Sequence, residues 1–469
     1  MQKAKVVGAL AAMSMLFSGT AAAQQDTQAQ ERTWMQQGEA SRPVNEAEAP
    51  IHPRTLKEAA QAAVLKNPEV LARWHAFNEA KEEIGVARGA FFPKVDVSAG
   101  TGRIKTRQSR IGLDTGWYRG SETTITLRQM IFDGFGTYNE VKRLGKAKLV
   151  RYFELLDASE TVALEAARAY LDVVRYREHA KLAEDNYIQH YAAHEQLERR
   201  AASGVGKRVD VDQAASRLAL ADVNVTTAYS NLHDVTARYL RIVGENPPAE
   251  IIMPERVDIG FPPTEAAALQ SALHLNPALR ASIENVDAAQ YDLQARRAAY
   301  YPRFDIVARR DHYSDYEDNG HRDESRIELR MNYNLFNGLS DISRDRQYRE
   351  RKYIALDLRE KACRDIRQTL AIAYNDTVRL KDQLAYLATQ VDLVAKTRAA
   401  YRDQFNIGQR TLLDLLNTQN EYFDARRAQV NADIDLALAY LRSYAGIGRL
   451  LEVLAIKRID LEDNQPDEN

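Results

Sequence analysis

Four short stretches of this chain alternate apolar and polar residues with a period of two. Val95, Val97, Ala99 and Thr101 alternate with Lys94, Asp96, Ser98 and Gly100, and Thr123, Ile125, Leu127 and Ile131 stand against Thr124, Thr126 and Arg128. Further on, Phe304, Ile306 and Ala308 alternate with Arg303, Asp305 and Val307, while Ile327, Leu329, Met331, Tyr333 and Leu335 alternate with Arg326, Glu328, Arg330, Asn332 and Asn334. Successive side chains of a β-strand point to opposite faces. The patterns therefore predict strands near 94–105, 120–132, 303–313 and 324–336. A length of about ten residues suits a transmembrane strand with lipid on one side and water on the other. A soluble, half-buried hairpin gives the same alternation. Aromatic residues at the strand ends favour the membrane, because aromatic side chains collect at bilayer interfaces. Phe91, Phe92, Phe132 and Phe135 stand at the inner end of the first hairpin, Tyr300, Tyr301 and Phe336 at that of the second, and Trp117 and Tyr118 in the far loop of the first.

After each hairpin the period changes. Ala163, Ala167, Tyr170 and Val174, and Leu380, Leu384, Leu387, Val391 and Val394, step by threes and fours. That is coiled-coil spacing, with small residues allowing close approach. Helical runs are expected over 138–200 and 341–405, each on the order of 90–100 Å long at 1.5 Å per residue. They break at Gly204 and Gly206, or at Gly408, and a second helix returns to end near Gly244 or Gly446.

The chain repeats itself. Asn67-Pro68 and Phe92-Pro93 recur 209 residues on as Asn276-Pro277 and Tyr301-Pro302; Phe132-Asp133-Gly134 recurs 204 on as Phe336-Asn337-Gly338; Gly206, Asp212 and Gly244 recur 202 on as Gly408, Asp414 and Gly446. Proline is absent between Lys94 and Asn246 and between Arg303 and Gln465, as long uninterrupted helices and strands require. The divisions expected are a first repeat over 55–250, a Pro-rich linker over 251–263, a second repeat over 264–450 and an acidic tail over 451–469. The tips of the two helical hairpins fall near 204–212 and 406–417.

At the N-terminus, Lys3 and Lys5 precede an apolar run from Val6 to Phe17 and then Ala21-Ala22-Ala23. This is the order of a secretory signal peptide over 1–23, with cleavage expected between Ala23 and Gln24. Residues 24–54 are polar, with three prolines, and read as a flexible lead-in. The 469-residue chain has a formal net charge of −2 and no Lys/Arg-rich block, which gives no footing for nucleic acid. The single cysteine, Cys363, excludes an internal disulfide framework and a cysteine-based zinc site. His190 and His194 share a helical face but have no third ligand nearby, so a solvated face is expected and no metal. No phosphate loop or nucleophile triad is present, so neither an enzyme nor a cofactor is expected. Four membrane strands cannot close a barrel alone, so the chain must assemble with copies of itself.

The order helix with Asn-Pro, aromatic-Pro, two strands, aromatic-Asp/Asn-Gly, long helix, glycine tip and return helix occurs twice between about 55 and 450. This order resembles the TolC-like outer-membrane factors. Most diagnostic are the tip segments from Gly206 through Asp212 and from Gly408 through Asn417. The resemblance implies an α+β, mainly α fold: a trimeric twelve-stranded transmembrane β-barrel, four strands per chain, continued by a twelve-helix coiled-coil tunnel through the periplasm. It implies a homotrimer in outer-membrane lipid, a periplasmic adaptor (membrane fusion protein) and an inner-membrane ATP-binding cassette (ABC) transporter that supplies the energy. Within the family the chain resembles the type I secretion branch, with an exported protein as substrate; residues 124–180 resemble exporters of large adhesins or repeat toxins. Drug or metal efflux is the alternative within the family. A periplasmic coiled-coil structural protein is the alternative outside it. By the same resemblance Asp414 forms a carboxylate ring at the closed periplasmic entrance, and Arg410 links to Asp212. Asn417 replaces a second aspartate, and Phe405 stands where relatives carry a tyrosine. The adaptor is expected to dock at Gly206, Lys207, Arg208, Gly408 and Gln409.

Overall fold

A computed structural model describes residues 55–105, 107–108, 113–114, 117–254, 258, 260–316 and 320–462. The signal segment, its cleavage site at Ala23 and Gln24, the lead-in and residues 463–469 lie outside the described residues. The first repeat runs α1 (Leu56–Lys66), α2 (Pro68–Arg88), β1 (Lys94–Ile104), β2 (Tyr118–Phe132), α3 (Gly136–Ala202) and α4 (Arg208–Val243). The second runs α5 (Glu265–Leu275), α6 (Pro277–Arg297), β3 (Arg303–Tyr316), β4 (Gly320–Asn332), α7 (Ser340–Asn406) and α8 (Leu412–Ile447). Two four-residue helices follow, α9 (Leu450–Val453) and α10 (Ile459–Glu462).

Local chemistry explains the joints. Asn67 accepts the Glu69 N–H, and Asn276 the Leu279 N–H, each capping a helix whose first residue is proline. Asn-Pro therefore stops one helix and starts the next. Gly134 and Phe135, and again Gly338 and Leu339, take positive φ and turn each strand into its long helix. The long helices α3 and α7 have 67 residues each, and the return helices α4 and α8 have 36.

Several expected boundaries shift. Strand β3 extends to Tyr316 and β4 begins at Gly320 but stops at Asn332, so Tyr333 and Leu335 lie past the sheet. Gly446 lies inside α8; the helix ends at Gly448, whose φ of 86° matches the 87° of Gly244. At the tips Gly204 (φ 76°) is the counterpart of Gly408 (φ 77°), not Gly206. The two helical hairpins thus superpose at the 204-residue spacing of Gly134 and Gly338. Residues 451–462 are not a free tail: Leu450, Leu451 and Ile456 are buried in the main core.

These four strands form one antiparallel sheet in the order β1-β2-β3-β4, and the two-residue segments Arg107–Gln108 and Leu113–Asp114 pair as a separate antiparallel ladder. Its register puts Val95, Val97, Ile125, Leu127, Ile306, Ala308, Ile327 and Leu329 on one face. The other face carries Asp96, Thr124, Thr126, Asp305, Arg309, Asp311, Arg326 and Glu328. Among the described residues no helix is long and apolar enough to cross a membrane. Below the sheet, α3 packs on α2, α4 and α6, and α6 on α7.

The main core joins α1, α3, α4, α8 and the C-terminal segment. Ala59, Ala60, Ala63, Ala163, Ala166 and Ala167 are fully buried there, which brings the helix backbones close. The linker is tied down on this core. The Tyr170 hydroxyl bonds both the carbonyl and the N–H of Ile252, and Phe261 stacks on Tyr374 and meets Tyr440 and Tyr444 edge-on. Cys363 is half-buried against the small cluster of Ala268, Ala272 and Ile366.

Candidate functional site

Two regions carry the chemistry: the helical tips and the charged face of the sheet. At the first tip, the N–H groups of Val205 and Gly206 both donate to the Arg200 carbonyl, folding the chain back on α3. A Cβ on Gly206 would sit 2.9 Å from the Ala201 nitrogen, so this position needs glycine for space, while Gly204 needs it for its φ. At the second tip Gly408 makes the turn, and Thr411 caps α8 by accepting the Asp414 N–H at 3.2 Å and donating to its carboxylate at 2.8 Å. Lys207, the equivalent cap of α4, makes no such bond. An apolar plug of Leu197, Val211, Ala214, Phe405, Leu412 and Leu416 joins the two tips.

The predicted gate residues are distributed around this plug. Phe405 is part of it, 5% exposed, with the Arg200 guanidinium 5.0 Å from its ring centroid. Its ring serves packing within the chain. Arg410 lies 4.2 Å from the Tyr401 ring centroid, donates to Gln404 at 3.0 Å and approaches the Asp414 carboxylate at 3.7 Å. Asp212 is 69% exposed and 3.7 Å from Arg208 on its own helix. Within one chain Arg410 and Asp212 are therefore not brought together. Asn417 accepts from Arg217 at 3.4 Å, linking α8 to α4. Lys207, Arg208 and Gln409 are exposed at the ends.

Sequence reasoning missed three features here. Tyr401, which holds the Arg410 guanidinium, lies nine residues upstream of it and outside any tip motif. Val205, Val209 and Ile407 are 83%, 73% and 69% exposed, an apolar rim on the very end of the tips. Their signal was available: all three flank the glycines and fall off the buried helix faces. His190 also departs from expectation. It is 2% exposed, not solvated, and bonds Asn420 at 3.0 Å beside an Asn186–Gln419 bond of 3.1 Å. Burial pushes His190 down, and pushes His179 down to about 4 with help from Arg427 and Arg175. Both are neutral at pH 7. Among the described residues no group of three or more His, Cys, Asp or Glu could hold a metal ion.

The charged face of the sheet is cross-linked. Arg309 bonds Asp311 at 2.6 Å and lies 3.4 Å from Glu122; Thr124 donates to Asp311 at 2.6 Å; Arg322 and Arg326 flank Glu324 at 3.1 and 2.8 Å; Arg330 pairs with Glu328. Positive and negative groups alternate on this face, so it carries both signs of charge without a single-sign field.

Comparison with known proteins agrees with this geometry. The sequence profile described as outer membrane efflux protein matches residues 59–245 and 268–449. Outer membrane efflux protein BepC of Brucella suis biovar 1 (strain 1330) is 27% identical over 378 residues, covering 79% of this chain and 80% of that protein. Proteases secretion protein PrtF of Dickeya chrysanthemi is 21% identical over 401 residues, covering 79% and 83%. The crystal structure of the Campylobacter jejuni CmeC outer membrane channel superposes with a TM-score of 0.77 at 14% identity, over 84% of this chain and 86% of that one.

Proposed function

The chain belongs to the outer membrane efflux protein family, and from that premise we propose that three copies form the exit duct of a type I secretion system. Family members are passive outer-membrane channels, not enzymes. The duct would receive a protein, of the large adhesin or repeat toxin class, from an inner-membrane ABC transporter through a periplasmic adaptor. The observation that carries this reading is the four-stranded sheet, apolar on one face and charged on the other, with β1 and β4 as open edges. Open edges in lipid leave backbone groups unpaired, at several kcal/mol each. The duplication supports closure by copies. The β2–β3 pairing and the α3–α6 packing join the repeats, while the equivalent surfaces, β4 with β1 and α7 with α2, have no comparable match among the described residues. Two copies would give about eight strands and a filled interior; three give twelve and a lumen.

Secretion is favoured by a wall carrying both charge signs and by the likeness to a protein named for protease secretion. Drug or metal efflux is the second reading, favoured by the likeness to a protein named for efflux. A deletion strain separates them. Loss of a large protein from the medium with unchanged drug and metal tolerance is expected; the opposite result assigns the chain to efflux.

At the tips, the same reading has Arg410 reach Asp212 on an adjacent copy and hold the entrance shut, while three Asp414 carboxylates attract cations. Both groups are substantially exposed, which is what a contact between copies needs. Replacing Arg410 with Ser should loosen the closed state. Exposed pairs contribute about 0.2–1 kcal/mol each, so three acting on one equilibrium shift it by roughly threefold to more than a hundredfold. Asp414→Ala should instead lower cation selectivity and block by multivalent cations. Single-channel recording in planar bilayers separates the two; unchanged open probability in the first variant and unchanged selectivity in the second would sink the gate.

A further inference from the structure

The lipid-side face of the sheet does not stay apolar to its far end. On β3, Phe304, Ile306 and Ala308 are followed on the same face by Arg310 and His312. On β4, Met331, Leu329 and Ile327 are followed by Ser325, Asp323 and His321. On β1 and β2, the pairs Val95–Leu127 and Val97–Ile125 give way to Arg103 directly opposite Arg119. All three arginines and both histidines are exposed. His312 and Asp323 are 2.8 Å apart, and the His312 and His321 rings stack at 5.8 Å. Asp323 is the one acid on this face among the described residues.

This arrangement is costly unless an anion joins it. Like charges directly opposite on neighbouring strands repel; among the described residues no carboxylate comes within ion-pair distance of Arg103, Arg119 or Arg310, and Asp323, bonded to His312, acts on Arg310 only through its charge. The inner-facing arginines 309, 322, 326 and 330 all have acids beside them. The depth also fits a boundary. Six residues from Phe304 to Arg310 rise about 20 Å along the strand, or about 15 Å of height at the usual tilt of roughly 40°. The exposed collar of Tyr300, Tyr301, Leu335 and Phe336 below them supplies the rest of an apolar band of about 25 Å. The basic cluster then stands where the hydrocarbon ends.

We propose that this outward basic rim, Arg310 with His312 and His321 on one hairpin and Arg103 with Arg119 on the other, binds the phosphates of an anionic outer-leaflet lipid, a phosphorylated glycolipid headgroup. The proposal rests on the barrel reading above, with the hairpin ends directed outward. Guanidinium and imidazole N–H groups donate to phosphate oxygens, and the apolar residues beneath take the acyl chains.

The test uses the full-length trimer, delipidated in mild detergent and offered equal amounts of lipid A and zwitterionic phosphatidylethanolamine. Retained lipid is counted by native mass spectrometry, and conductance is recorded from the same preparation. The wild type should prefer lipid A by about tenfold or more, because each basic residue near an anionic surface adds to its attraction. Combined Arg103→Gln, Arg119→Gln and Arg310→Gln should bring the preference within about twofold, while Arg326→Gln, on the inner face, should keep it. A conducting wild-type trimer without the preference overturns the rim and leaves the duct intact. Loss of the preference in Arg326→Gln alone would place the phosphate in the lumen and also overturn it. A preparation that neither trimerises nor conducts fails the barrel reading itself.

Discussion

Replacing Gly134 with valine is expected to destabilise the protomer strongly, whereas the same change at Gly338 is expected to leave the protomer folded and block assembly. Gly134 has φ 69°, and a Cβ there would lie 2.8 Å from both the Ala298 carbonyl oxygen and the Tyr301 Cβ. The left-handed backbone costs a side chain about 1–2 kcal/mol, and forcing atoms into a packed site about 1–3 more. The sum is a large part of the 5–15 kcal/mol that typical proteins possess. Gly338 has φ 57°, but nothing lies within 4 Å of its added Cβ. By the repeat correspondence, the places of Ala298 and Tyr301 are taken for Gly338 by Gly89 and Phe92, which in a closed ring belong to the next copy. Circular dichroism melts and native mass in mild detergent distinguish the outcomes. Two variants that melt alike as monomers, or a Gly338→Val trimer of normal yield, would refute this picture of closure.

The second large effect is a pH dependence. Glu160 on α3 is 6% exposed and accepts the N–H groups of Leu450 and Leu451 at 3.0 and 3.4 Å, pinning the C-terminal segment to the core. Burial pushes its carboxyl up to about 8 from an ordinary 4.5, against the opposing pull of those N–H bonds. Because the folded value lies above the unfolded one, the folded state holds the extra proton between them. The resulting stability is fully present below pH 4.5 and is lost as pH rises through about 8. At about 1.4 kcal/mol per unit, the change is on the order of 3–5 kcal/mol per protomer. Glu160→Gln cannot titrate and should flatten the melting temperature between pH 5 and about pH 9. Parallel pH profiles for the two proteins would show that another group is responsible.

Much of this fold was legible in the residues. Alternation at Val95, Val97, Ile327 and Leu329 located the sheet, because strand periodicity is read from neighbours two positions apart. Asn-Pro at 67 and 276 located the helix breaks, because capping and proline geometry act within one turn. The site was less legible. That the Phe405 ring lies buried in the tip plug had no local signal. His190 reads as a surface residue but sits in a polar seam with Asn420. Gly206 reads as the partner of Gly408, although Gly204 is. Glu160 and Tyr401 carried no motif at all, since their partners lie across helix interfaces or nine residues away.

The pattern of residues was sufficient for the four strands of the main sheet, the two pairs of long helices, the duplication and the polar and apolar faces of the sheet. Each of these depends on short-range periodicity or on the backbone preference of a single glycine or proline. Tertiary structure alone decided which equivalent positions behave differently. Gly134 is crowded and Gly338 open, α8 runs through Gly446 to Gly448, and residues 451–462 pack as core where a tail was expected. The physical reason is the duplication itself. Two like segments share their local chemistry, but one finds its neighbours within the chain, and the other meets the edge of the protomer, where the proposed assembly would place the next copy.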